Sequence, residues 1–99
     1  MIVSYDEKVH RRFVGSVYCR GKGRTLEQFL ALFDQGARCY VYVGTDSPDV
    51  FLGFLLLDGE GKRLYSYVKL ALRAEGARIE GALGRHAAGA ALVTERTGR

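Results

Sequence analysis

The residues best placed to do chemistry are the basic and small residues between a strand-like and a helix-like segment. Arg73, Gly76, Ala77 and Arg78 stand where an alternating pattern, which ends near Val68, gives way to a helical period. The start of a helix carries unpaired N–H groups and a partial positive charge, and a glycine there lets a phosphate approach the backbone. The segment therefore predicts an anion-binding site.

No other side chain in the sequence stands out as a catalytic group. A general base must lie within hydrogen-bond reach of the proton that it removes. The available carboxylates lie in a turn and on a helix surface, where carboxylates are usually just solvated: Glu60, Glu75 and Glu80. His10 and His86 are isolated in the sequence, so they indicate neither a triad nor a metal site. The catalytic residues are left unassigned.

The two cysteines do not form a recognisable metal motif. Cys19 and Cys39 belong to no CxxC pair and have no histidine at ligand spacing, so no metal site is expected. A disulfide between them would require an oxidising compartment. The longest apolar run, Val50–Leu57, is much shorter than the ~20 residues of a membrane helix, and the N-terminus does not resemble a signal peptide. A cytoplasmic protein without a membrane segment is expected.

Three strands are expected in the middle of the chain. Arg38–Gly44 and Arg63–Lys69 alternate in the manner of strands with two different faces. Val50–Leu57 is apolar at almost every position, which predicts a central strand that is covered on both sides. Short polar turns at 45–49 and 58–61 join the three segments, so we predict an antiparallel meander.

Helical patterns flank this meander. Thr25 and Gln28 form a capping box ahead of an apolar stripe at helical spacing: Leu26, Phe29, Leu30 and Phe33. Residues 7–20 are ambiguous between helix and strand and are interpreted as a helix. A third helix is predicted over Leu72–Leu83, followed by a strand over Ala90–Thr94. That strand should run parallel to the last strand of the meander and be joined to it by a right-handed crossover. The predicted fold is α/β (α+β), with a mixed, mostly antiparallel sheet and flanking helices.

This arrangement resembles the GNAT superfamily of N-acetyltransferases, and in particular its small phage-encoded members. In that family a strand ends in a valine, as at Val68, and a short connection leads to an Arg/Gln-x-x-Gly-x-Gly/Ala step, similar to Arg73, Gly76 and Ala77. The segment Leu52–Phe54 resembles the glycine-bearing strand that precedes it. The similarity covers about residues 37–95. Arg78 departs from this pattern, because the family has a small residue there. Its long side chain would either fill the phosphate site or pair with the phosphate.

The resemblance implies a single GNAT-like (acyl-CoA N-acyltransferase) domain over residues 1–99 that uses acetyl-CoA as its cofactor. Val68 would belong to the strand that bonds the pantetheine arm, and the pyrophosphate loop would contain Arg73, Gly76, Ala77 and Arg78. The implied activity is transfer of acetyl to an amine. The sequence given stops soon after the last expected strand, so a pared-down or inactive member is also expected.

The net positive charge of the chain is also compatible with a second class of function. The 99-residue chain has a formal net charge of +4 and a pI near 9.3, which suits an anionic partner such as a nucleotide-bearing cofactor or a nucleic acid. The alternative is a small, non-catalytic binding protein that contacts nucleic acid or a host protein through Arg20–Arg24 and Arg85–His86. An exposed sheet edge also predicts a homodimer.

Overall fold

The computed structural model describes residues 1–21, 23–69 and 74–97, and the side chains only as far as Gly89. The elements, in chain order, are β1 (Ile2–Ser4), α1 (Glu7–Tyr18), α2 (Leu26–Asp34), β2 (Arg38–Val43), β3 (Phe51–Leu57), β4 (Arg63–Val68) and α3 (Gly76–Thr97). In these residues the strands form one antiparallel sheet in the order β1-β2-β3-β4. The chain therefore has an α+β fold.

The predicted meander is confirmed, and one strand is added to it. Strands β2, β3 and β4 lie within the predicted segments and pair in sequence. Strand β1 was not predicted, because three residues are too few for an alternating pattern to be recognised. It pairs with β2 through Ile2 opposite Tyr42 and Ser4 opposite Tyr40. The sheet thus has β1 at one edge and β4 at the other.

The predicted parallel strand was wrong. Residues 90–94 belong to α3, which runs from Gly76 to Thr97, so the described sheet contains no parallel pair and is not mixed. An alanine-rich segment from Ala87 onward favours helix over strand, and Gly84, expected to end the helix, lies in its interior. The expected helix start at Leu72 lies outside the described residues.

The first two helices are fixed by their caps. Asp6 Oδ1 accepts the Lys8 N–H at 2.9 Å at the start of α1, which settles the ambiguous segment as helix. The predicted capping box of α2 is confirmed: Thr25 Oγ1 accepts the Gln28 N–H at 3.2 Å, and Gln28 Oε1 accepts the Thr25 N–H at 3.0 Å.

The sheet has a core on each face. Helices α1 and α2 cover the first face, whose buried residues are Val14, Val17, Phe29, Cys39, Val41, Val43, Phe54 and Leu56. Helix α3 covers the second face, with buried residues Tyr40, Leu55, Leu57, Ile79, Leu83 and Ala87. Strand β3 contributes to both sets, as its apolar sequence predicted. In the described part of the chain, no helix is long and apolar enough to cross a membrane.

Candidate functional site

The open edge of β4 is the first component of the candidate site. The Lys69 N–H donates to the Leu52 carbonyl at 3.0 Å. Val68, the residue before it, lies opposite Gly53, and its N–H and C=O groups point away from β3. Along an antiparallel strand, peptide groups point alternately toward the neighbour and away from it. The N–H and C=O groups of Val68 and Ser66 therefore face the edge of the sheet, where the described residues provide no further strand.

The start of α3 is the second component, and it lies beside the end of β4. A Cβ placed on Gly76 would be 4.0 Å from the Val68 side chain, so the helix begins against the strand end. Ala77 and Arg78 follow in the first turn, and both are exposed. Four of the five predicted site residues therefore cluster, whereas Arg73 lies outside the described residues.

The Arg78 side chain has internal partners. Its Nη2 lies 3.3 Å from Glu75 Oε2, just before the helix begins. The Tyr42 hydroxyl and the Glu75 carboxylate, in that order of importance, raise the pKa of the Arg78 guanidinium. An anion that binds at this helix start must therefore compete with Glu75 for Arg78.

A bridge between α3 and β4 lies further along the same side of the sheet, and sequence reasoning missed it. Glu80 Oε1 accepts a hydrogen bond from Ser66 Oγ at 2.9 Å and from Arg63 Nη1 at 3.2 Å. No pattern predicted this contact, because the three residues belong to elements of different period. Ser66 thus has an acid partner in Glu80. Neither described histidine completes a triad, since His10 lies on α1 and His86 contacts the Tyr40 ring at 5.0 Å.

The two predicted basic loops lie on opposite faces of the sheet. The Arg24 guanidinium lies 4.9 Å from the ring centroids of both Tyr18 and Tyr65, on the face covered by α1 and α2. Arg85 and His86 lie on α3, which covers the other face. The two loops therefore do not form one continuous surface for a nucleic acid.

The described residues contain no group of three His, Cys, Asp or Glu side chains that could hold a metal ion. Cys19 and Cys39 are free thiols, and burial strongly raises the pKa of the Cys39 thiol, which makes it a poor nucleophile. A scan against protein-family models and searches of curated proteins and of solved structures gave no significant match. The geometry at β4 and α3 is therefore the basis for a functional inference.

Proposed function

We propose that the chain is an acyl-CoA-binding domain of GNAT-like type. The pantetheine arm would pair with the open edge of β4, and the pyrophosphate would lie at the start of α3. The observation that carries the proposal is the outward direction of the Val68 and Ser66 peptide groups beside the first turn of α3. An extended, amide-containing arm needs such an unpaired strand, because main-chain hydrogen bonds provide much of the affinity when a ligand adds to a sheet edge.

The electrostatics of the helix start also support this ligand. A 3₁₀ turn at 74–75 leads into α3, and the dipole of the helix favours negative charge at this end. Among the described residues, the Val68 side chain lies within 4.0 Å of the position that a Cβ on Gly76 would take, so a side chain added there would meet the strand end. Arg78 adds a guanidinium that can exchange its contact with Glu75 for one with a phosphate.

The test of cofactor binding is a calorimetric titration of the chain with CoA and with acetyl-CoA. Gly76→Leu places a bulky side chain between the strand end and the helix start, and we expect it to weaken binding by at least about tenfold. Gly89→Leu is the matched control, because Gly89 lies on the same helix and no described residue outside its own stretch of helix lies within 4 Å of its Cβ position. Absence of binding by the wild-type chain at millimolar CoA would refute the proposal.

The proposed reaction, for a chain that binds the cofactor, is transfer of acetyl from acetyl-CoA to an amine. Glu80 is the carboxylate that contacts β4, through Ser66, and is the first candidate for the base that receives the amine proton. Release of free CoA from acetyl-CoA in the presence of mixed primary amines measures turnover. Turnover that is lost in Glu80→Gln, while CoA binding persists, would support transfer. Cofactor binding without turnover would identify an inactive member.

A second candidate function, a non-catalytic protein that binds a polyanion, is favoured by the outer face of α1. Lys8, Arg11 and Arg12 are exposed there around Val9, which is 53% exposed. Only Arg11 of these is ion-paired in the described structure, with Glu7 at 3.8 Å. Binding of a single-stranded oligonucleotide that weakens steeply with salt and is lost in Lys8→Gln/Arg12→Gln would support this function.

A further inference from the structure

A cleft lies at the other end of β4, away from Val68, and no proposed function uses it. It encloses about 500 Å³ between the sheet and the second half of α3. Its floor is formed by Tyr40, Leu55 and Leu57, and the turn at 59–61 forms its rim. A cavity of this size is in the range that holds small organic ligands.

The cleft lies where α3, among its described side chains, presents only small residues to the sheet. The helix residues that line it are Gly84, Ala87 and Ala88. A Cβ on Gly84 would lie 3.9 Å from Arg63 Nη2, so this glycine leaves room for the guanidinium to lie along the helix. Among the described side chains, Arg63 of β4 is the long one that extends between the helix and the sheet at this level.

Two arginines flank the apolar floor in one row of the sheet. Arg38 on β2 and Arg63 on β4 both lie opposite Leu57 of the central strand. Two strand spacings place their Cα atoms on the order of 10 Å apart. Arg63 is already paired with Glu80 at 3.2 Å, whereas Arg38 has no ion-pair partner among the described residues. Arg38 is therefore the cation that is available to a ligand.

We propose that this cleft binds a small organic anion, a carboxylate carried on a flat apolar body. Arg38 holds the carboxylate, because a guanidinium matches its two oxygens. The body lies on Leu57 and against Tyr40, whose ring is almost fully buried and is held edge-to-face by His86. The site is separate from the proposed CoA site and does not depend on it.

The charged residues around the cleft predict which substitutions should weaken anion binding and which should strengthen it. Glu60 is exposed and also lines the cleft, so its carboxylate repels a bound anion while Arg38 attracts it. Arg38→Gln should therefore weaken binding of an anion, and Glu60→Gln should strengthen it. A ligand that is held only by apolar contact would be indifferent to both changes.

The experiment is an amide chemical-shift titration of the ¹⁵N-labelled chain with 1-naphthoate and with its neutral counterpart, 1-naphthamide. We expect naphthoate to shift the amides of Tyr40, Leu57 and Gly84. Arg38→Gln should raise the naphthoate dissociation constant about tenfold, as expected for loss of a hydrogen-bonded charge partner, and should leave naphthamide binding unchanged. Arg85→Gln, an exposed arginine on α3 that does not line the cleft, is the matched control.

A second variant tests the volume itself. Gly84→Leu should fill the cleft and abolish the naphthoate shifts, and the retained dispersion of the remaining amide signals shows whether the chain is still folded. Naphthoate shifts that survive Gly84→Leu in a folded chain, equal binding by Arg38→Gln and the wild type, or no shift at millimolar naphthoate would each overturn the proposal. A CoA titration of the same variants keeps the two sites distinguishable, since neither Arg38 nor Gly84 contacts the Val68 edge.

Discussion

At the scale of single residues, His10 links α1 to the segment before it and should make stability depend on pH. Its side chain is 5% exposed, and its Nδ1 accepts the Asp6 N–H at 2.9 Å. Burial lowers the pKa of His10 below its usual 6.5, and the Asp6 carboxylate opposes this only in part. The folded state therefore favours neutral imidazole, so the unfolded chain binds more protons as the pH falls below about 6.5.

We expect the free energy of unfolding to be maintained above pH 6.5 and to decrease as the pH is lowered through that value. Urea unfolding at pH 7.5 and at pH 5.5 measures the difference. His10→Gln should reduce it, because the titrating group is removed, whereas exposed His86→Gln should leave it unchanged. An identical pH dependence in His10→Gln and the wild type would contradict this assignment.

Tyr5 is a second single residue whose substitution should change the stability of the fold. Its ring stacks on Phe33, with centroids 4.7 Å apart, but its hydroxyl is buried and has no hydrogen-bond partner among the described residues. Burial is the main cause that raises the pKa of Tyr5 to about 12. Because an unsatisfied buried hydroxyl is costly, Tyr5→Phe should stabilise the fold by about 1 kcal/mol. Chemical denaturation checks this, and Tyr5→Leu, which removes the stacked ring, should destabilise it.

At the scale of elements, the spacing of β3 and β4 depends on a glycine. A Cβ on Gly53 would lie 2.5 Å from the Tyr67 carbonyl oxygen, so a side chain there forces the two strands apart. We expect Gly53→Ala to lower the free energy of unfolding by about 1–3 kcal/mol. Gly89→Ala is the contrasting control, since no described residue outside its own stretch of helix lies within 4 Å of its Cβ position and alanine favours helix. A Gly53→Ala chain as stable as the wild type would show that β4 shifts without cost.

The helices and strands differ in how well local sequence patterns predict them. Helix α2 was predictable because a capping box and an apolar stripe both lie within ten residues of sequence. Strands β2 to β4 were predictable because alternation and two short turns agree. The length of α3 was not, because the run Ala87–Ala91 contains only alanine and glycine, which carry no amphipathic pattern. The contact of Glu80 with Ser66 and Arg63 depends on how α3 crosses the sheet, which no local pattern specifies.

At the scale of the whole molecule, the two faces of the sheet are covered unequally. Two helices cover one face, and the α3 helix alone covers the other, with the proposed CoA site at one end of β4 and the cleft at the other. The same strand also lies at an edge of the sheet, where a second copy of the chain could pair with it. The homodimer stays a prediction. Its simplest arrangement pairs β4 with β4 of the second copy.

A dimer that pairs β4 with β4 of the second copy should compete with CoA for the same strand edge. Pairing of β4 with its copy would use the peptide groups of Ser66 and Val68 that the proposed pantetheine arm also needs. Because one edge cannot hold both occupants, CoA should bind the monomer and pull the equilibrium away from the dimer by mass action. Sedimentation equilibrium at micromolar protein should show a dimer whose dissociation constant rises as CoA is added.

The Val68→Pro variant tests whether the dimer forms through the β4 edge or through another surface. The Val68 N–H faces away from β3, so proline removes no hydrogen bond of the sheet and is compatible with an edge strand. The variant should be monomeric and should lose CoA affinity while keeping the circular dichroism of the folded chain. A folded Val68→Pro chain that still dimerises would place the interface elsewhere. A dimer indifferent to saturating CoA would show that the two occupants use different surfaces, because linkage requires competing ligands to weaken each other.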